Sequence, residues 1–139
     1  MGDNHNSAPV IHVVAGALFC PDRGVLMCQR PEGKAHAGEW EFPGGKMEAD
    51  ERPEEALVRE LAEEIGIIVD PVNLLPAGFA SYAYPTSHVL LLLYVIKAWQ
   101  GEPRSLENQA MQWVPVSELP TFAVLPADIP LVAHLPAYL

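Results

Sequence analysis

Positive charge is scarce in this chain of 139 residues: 8 lysines and arginines stand against 18 aspartates and glutamates, a formal net charge of −10. No basic face can form to displace the counterions of a nucleic-acid polymer, so DNA or RNA is not an expected partner. A small anionic ligand stays admissible where cations supply the neutralisation. Cysteine is nearly absent as well. Cys20 and Cys28 fit neither a disulfide framework nor a zinc spacing, and are expected as reduced, mostly buried thiols. Long apolar runs are missing: Val89 to Ile96 spans only 8 residues, well short of the roughly 20 a helix needs to cross a bilayer. The first nine residues, MGDNHNSAP, lack the cationic and apolar segments of a secretion signal and read as a flexible tail, residues 1–9. A soluble, cytoplasmic protein without membrane contact is the expectation. Repeats and low-complexity tracts are missing too, so residues 10–139 are expected to form one domain.

What is present alternates between strand and helix patterns. Ile11 to Phe19 and Val25 to Gln29 read as strands flanking the turn Pro21-Asp22-Arg23-Gly24. A polar loop from Pro31 to Gly38 follows, then a short extended piece from Glu39 to Phe42, broken by Pro43-Gly44-Gly45. Ile67 to Val69 reads as a brief strand. Leu75 to Tyr84 and His88 to Trp99 read as a long hairpin around Pro85-Thr86-Ser87. Gln112 to Val116 reads as a last strand, Val116 to Leu119 as a helical turn and Ala127 to Leu135 as a final helix. Helices flanking a mixed sheet in three layers, an α/β class, is the expected architecture.

The stretch from Gly45 to Ile67, GKMEADERPEEALVRELAEEIGI, carries the chemistry. Pro53 suits the first turn of a helix and Gly66 the left-handed position just past its end. Leu57, Leu61 and Ile65 recur every four residues as one apolar stripe. Glu60, Glu63 and Glu64 then gather on another face. Three like charges so close repel one another unless a cation holds them. Hard oxygen donors of this kind suit Mg²⁺, with Mn²⁺ as an alternative, and leave positions for substrate phosphates.

This stretch resembles the Nudix box, with Gly45, Glu51, Arg59, Glu60, Leu61, Glu63, Glu64, Gly66 and Ile67 at its fixed positions. The resemblance implies an α/β/α sandwich with a mixed central sheet and the hydrolysis of a nucleoside diphosphate linked to another group. It implies Glu60 and Glu64 as the core metal ligands, Glu63 close by and often ligating as well, and the backbone carbonyl of Gly44 or Gly45 as a further ligand. Glu51 would orient or deprotonate water, and Arg59 would pair with a box glutamate and fix its rotamer. Glu107, in the loop Arg104 to Gln109, is the candidate for one more ligand outside the box, with a solvated loop acid as the alternative. The run Gly38-Glu39-Trp40-Glu41-Phe42-Pro43-Gly44-Gly45-Lys46 is similar to MutT-type enzymes, which sanitise the nucleotide pool. So are Gln29-Arg30, the Gly101-Glu102-Pro103 turn and the ending Leu125-Pro126-Ala127-Asp128-Ile129-Pro130.

That likeness makes a nucleoside triphosphate the expected substrate, 8-oxo-dGTP first and CTP or a modified pyrimidine nucleotide second. Arg30 and Phe42 would line the base pocket, and Lys46 would lie near the phosphates. For Phe42, plain core packing is the alternative. Asp128 departs from the MutT pattern, which has Asn there. An ionised Asp only accepts hydrogen bonds, from N–H groups of a guanine edge or the exocyclic amine of cytosine. The Ala127-Asp128-Ile129-Pro130 ending resembles the CTP-cleaving branch more than MutT itself, and Asp128 also suits a cap on the last helix. Asp50 replaces a Gly seen in many relatives and tolerates the same left-handed backbone. Arg52, where Ser or Thr is usual, is expected to weaken the helix start. A non-catalytic nucleotide sensor would show a degraded box, and this one is intact. An isomerase of isopentenyl diphosphate would want a catalytic Cys, and both cysteines lie in apolar strand contexts. The five histidines, among them His5 in the tail, show no ligand spacing. A monomer or small homo-oligomer is expected.

Overall fold

The computed structural model describes residues 9–139. The flexible-tail assignment for residues 1–8, and His5 with it, lies outside the described residues. Pro9, also assigned to that tail, is tied down: its carbonyl accepts the His88 N–H at 2.9 Å.

β1 (Val10–Cys20) is the axis of the sheet. One edge pairs in parallel with β6 (Ser87–Ile96) from Val10 to Leu18. The other edge changes partner along its length. It pairs antiparallel with β4 (Gly44–Lys46) at Val13 to Ala15, and with β2 (Gly24–Gln29) at Phe19 and Cys20. β3 (Trp40–Glu41) and β7 (Met111–Val114) pair with β2, and β5 (Leu75–Tyr84) pairs with β6. Parallel and antiparallel ladders in one sheet make it mixed.

Two apolar cores cover its two faces, giving the expected α/β/α layers. On one face, α1 (Pro53–Ile65) lays Ala56, Leu57, Leu61 and Ile65 over Val14, Leu18, Leu26 and Ile96. On the other, α2 (Ile129–His134) and flanking 3-10 turns set Leu131, Val132 and Leu135 against Ala77, Ala80, Leu91 and Leu93. Side chains alternate between the faces of a strand, so a run such as Leu90 to Ile96 feeds both cores. No helix among the described residues is long and apolar enough to cross a membrane.

Several boundaries differ from the sequence reading. Gly44 and Gly45, expected to break the chain, form β4 instead, because each lacks a side chain that would block the approach to β1 and α1. Ile67 to Val69 supplies a single bridge, Ile68 with Gln100, rather than a strand. The hairpin turn is only Pro85-Thr86, with Ser87 already paired to Tyr84. The final helix is six residues, bracketed by the 3-10 turns Pro126–Asp128 and Leu135–Tyr138. Pro126, Pro130 and Pro136 each remove a backbone donor along this segment. At the start of α1, the Glu55 carboxylate accepts the Arg52 N–H at 2.8 Å, which replaces part of what a Ser or Thr cap would do. Asp50 and Gly66 take the left-handed backbone at φ 68° and 71°.

Candidate active site

The acidic end of the site forms where β4 meets α1. A Cβ on Gly44 would strike the Val14 carbonyl, and one on Gly45 would strike the Glu60 carboxylate. Their absence lets the Gly44 N–H donate to Glu64 Oε1 at 2.9 Å. Glycine is needed here for close approach, not for a turn.

Arg59 organises the outer half of the cluster. Its Nε donates to Glu51 Oε2 at 2.7 Å and its Nη2 to Glu51 Oε1 at 2.9 Å, a two-point contact. Nη1 donates to Glu60 Oε2 at 3.0 Å and to Glu63 Oε1 at 3.3 Å, and Nη2 to the Lys46 carbonyl at 3.2 Å. The Arg59 guanidinium, with the Glu48 N–H, holds the Glu51 carboxyl down to about 2. An acid with so low a pKa and three donors on its oxygens is a weak base in this arrangement.

Glu64 and Glu60 move the other way. Burial pushes Glu64 up to about 8, opposed by the Gly44 N–H and reinforced by the charges of Glu41, Glu107 and Glu60. Burial also raises Glu60, although Arg59 pulls against it. Crowded, partly buried carboxylates whose charge no side chain fully neutralises are the donor set a hard divalent cation takes. Among the described residues no three are drawn into a ready cage. Arg59 holds Glu60 and Glu63 on its own fork. A cation binding there would compete with the guanidinium for these two.

A cleft of about 870 Å³ opens beside the cluster and is lined by Gly44, Gly45, Lys46, Glu64 and Glu107 together with Arg30, Phe42 and Asp128. Glu51, Arg59, Glu60 and Glu63 lie on the flank of this cleft, behind β4, rather than on its wall. Glu107 arrives on the loop between β6 and β7. That loop is docked on the end of α1, with the Arg104 N–H on the Ile65 carbonyl and the Leu106 N–H on the Glu64 carbonyl, both at 3.0 Å.

Arg30, Phe42 and Asp128 line the same cleft. Phe42 is 3% exposed and belongs to the core, so packing and pocket lining are both true of it. Its N–H donates to Asp128 Oδ2 at 3.1 Å. Arg30 Nε donates to the Ala35 carbonyl at 2.7 Å, and Nη1 reaches both Glu41 oxygens at 3.3 and 3.4 Å. Asp128 does not cap α2; no cap hydrogen bond forms, because its carboxyl turns inward to Phe42. Burial pushes its pKa up to about 8, with Glu41 adding to the rise and the Phe42 N–H and Arg30 opposing it. Burial at this site thus favours the protonated carboxyl over the anion.

Two cleft residues were missed in the sequence. Glu41 stands in the Trp40-Glu41-Phe42 run itself, lines the same cleft as Phe42 and anchors Arg30. Gln109 closes the Glu107 loop and is 7% exposed. A neutral amide at the end of a polar loop gives no signal of burial.

Comparison with known proteins agrees with this geometry. The NUDIX domain matches residues 10–135. The chain is 37% identical over 126 residues to the 8-oxo-dGTP diphosphatase of Haemophilus influenzae, covering 91% of each chain. It is 38% identical over 124 residues to the CTP pyrophosphohydrolase of Escherichia coli K12, covering 88% of each. A structure of MutT from work on Aliivibrio salmonicida and Vibrio cholerae superposes with a TM-score of 0.77 at 35% identity, covering 94% of this chain and 99% of that one.

Proposed function

The chain belongs to the Nudix family and is a hydrolase of the MutT type, a nucleotide pyrophosphohydrolase, and we propose that it cleaves 8-oxo-dGTP to the monophosphate and pyrophosphate with Mg²⁺. The observation that carries this reading is the shared cleft. One wall offers carboxylates for a metal and the phosphates, and another offers Arg30, Phe42 and a protonated Asp128 for a base.

Nudix hydrolases generally use divalent metals. Glu60, Glu64 and Glu107, with the Gly44 or Gly45 carbonyl and Glu63 nearby, are the residues that would hold them. Such a cation would neutralise charge on the phosphate oxygens and make an attacking water more acidic. The chain's own residues do the rest. Gly44 fixes the Glu64 rotamer, Arg59 fixes Glu51 and Glu60, and Lys46 adds a positive charge on the cleft wall near the phosphates. Arg59 also serves as the resident cation of the cluster until a metal competes for its carboxylates.

The base end supports an oxidised purine. Oxidation at C8 of guanine turns N7 from an acceptor into an N–H donor, beside the O6 acceptor. A protonated carboxyl offers one O–H donor and one acceptor oxygen, the same pair an Asn amide offers. Neutral Asp128 thus fills the position where the MutT pattern has Asn. A second reading, CTP or a modified pyrimidine nucleotide, draws on the same residue, since a carboxyl also complements the N3 and amino edge of cytosine. The relative named for CTP is as similar as the one named for 8-oxo-dGTP. All of these groups come from one chain, so the reading needs no partner subunit, and a cytoplasmic nucleotide pool is where it would act.

Hydrolysis of 8-oxo-dGTP, dGTP, CTP, 5-methyl-dCTP and ADP-ribose by wild type and Glu64→Gln, with Mg²⁺, tests this. Preference for 8-oxo-dGTP, with release of pyrophosphate and loss in the variant, is the expected result. Preference for the pyrimidines would replace the first reading with the second, and turnover of ADP-ribose alone would sink both.

A further inference from the structure

The loop from Arg104 to Gln109 carries Glu107 and is held at two places. Its first half is docked on the C-terminal carbonyls of α1, including that of Glu64. Its second half is held from inside by the Gln109 side chain. Gln109 Oε1 accepts the Ser105 hydroxyl at 2.7 Å and the Glu107 N–H at 3.2 Å. Between them Asn108 takes the left-handed backbone at φ 63°, which turns the chain back on itself directly after Glu107.

The orientation of this amide is fixed by chemistry. The Glu107 N–H can only donate, so the atom facing it has to be the carbonyl oxygen of Gln109. The Nε2 group is left buried with no nitrogen or oxygen partner, and its polar neighbour is the Cys28 thiol. A sulfur is a weak acceptor. A methionine of similar length would fill the same space without the buried Nε2 donor, but it would leave the Ser105 hydroxyl and the Glu107 N–H without their acceptor. What only the glutamine supplies is the oxygen that grips Ser105 and the Glu107 backbone.

We propose that Gln109 is a positioning residue: it sets the Glu107 loop so that the Glu107 carboxylate faces the Glu60–Glu64 cluster, and it acts on metal binding through Glu107. This rests on the reading of Glu107 as a ligand given above. Gln109 itself would touch neither substrate nor metal. Its effect travels through two hydrogen bonds and one backbone turn.

The test is a titration of the full chain with Mn²⁺ alone, followed by electron paramagnetic resonance, for wild type, Glu107→Gln, Gln109→Met, Ser105→Ala and the Glu107→Gln/Gln109→Met double variant. Removing groups that orient a ligand weakens metal affinity by about 10- to 100-fold, and Gln109→Met is expected near the lower end of that range. Ser105→Ala, which removes one of the two bonds, is expected to lose less than Gln109→Met. The double variant is expected to bind no more weakly than Glu107→Gln, because a residue acting through Glu107 has nothing further to lose. Thermal midpoints in the absence of metal should stay close to wild type for Ser105→Ala. Glu107→Gln weakened with Gln109→Met unchanged would overturn the inference and leave Glu107 as a ligand. Additive losses in the double variant would overturn it too. Unchanged affinity in Glu107→Gln would remove the ligand reading first and the inference with it. Should Gln109→Met fail to fold, unchanged Mn²⁺ affinity in Ser105→Ala would overturn the inference on its own.

Discussion

The Gly44 N–H donates to Glu64 Oε1 at 2.9 Å, a bond from the strand that borders the cleft to the helix that carries the carboxylates. It also fixes a tension. Glu64 is aimed by a donor that favours its anion, yet burial and three neighbouring acids push its pKa up to about 8. Glu64→Gln keeps an oxygen for the Gly44 N–H and removes the buried charge. Activity should fall by about 10²–10³-fold, the scale on which losing one electrostatic group at a reacting centre is felt. Metal-free stability should not fall with it. The folded pKa lies above the usual carboxylate range, so the native state holds its proton longer, and stability is lost as pH rises towards 8. The variant lacks that loss. Melting curves from pH 5 to 9 should therefore show the variant gaining on wild type as pH increases; a constant gap would contradict the burial argument.

Metal affinity should carry the mirror image of the same effect. A cation binds the deprotonated carboxylate, so binding releases a proton wherever Glu64 is still protonated. Mn²⁺ affinity measured by calorimetry should rise by up to about tenfold per pH unit below pH 8 and flatten above it. Buffers of different ionisation enthalpy would count the released proton directly. A flat profile across this range would mean that Glu64 is ionised well below pH 7.

Arg59 makes a two-point contact with Glu51 and holds Glu60 and Glu63 as well. Lysine has the charge but not the fork, so Arg59→Lys should not restore what Arg59→Ala removes. Both should lower kcat by roughly 10- to 100-fold, as for other groups that orient metal ligands, with KM for the nucleotide little changed. In Arg59→Ala the low pKa of Glu51 should also rise, since the guanidinium is its main cause. Full recovery of kcat in Arg59→Lys would show that charge alone matters at this position.

The box was legible in the sequence because its logic is local. A spacing of three and four residues puts Glu60, Glu63 and Glu64 on one face, and Pro53 and Gly66 mark the ends, whatever the rest of the chain does. The three layers followed from the alternation of strand and helix patterns. What was not legible depends on contacts far apart in the chain. Glu41 reaches Arg30 only because β2 and β3 pair in one register, Cys28 opposite Glu41. Gln109 is buried in a loop whose neighbour Ala110 accepts the Gln29 N–H at 2.8 Å, a contact across 81 positions. Burial favours protonation of Asp128 against the pull of the Phe42 N–H, 86 positions away, which no window along the chain can show.

That protonation should govern base selection. Below its pKa of about 8, Asp128 presents both a donor and an acceptor; above it, it presents acceptors only. A guanine oxidised at C8 needs both, one for O6 and one for the N7–H. The ratio of kcat/KM for 8-oxo-dGTP over dGTP should therefore fall as pH is raised from 7 to 9. Using the ratio removes the changes in metal binding, which affect both nucleotides alike. Asp128→Asn offers the same donor and acceptor without a titrating proton. It should keep the selectivity at pH 7 to within about threefold and lose the pH dependence, a change below 1 kcal/mol in transition-state discrimination. Asp128→Ala also strips the Phe42 N–H of its partner and should lose the selectivity at every pH, by roughly 10- to 100-fold, the scale of one to two hydrogen bonds to a base edge. Were Asp128→Asn to abolish selectivity while wild type kept it unchanged through pH 9, the anion would be the reading form.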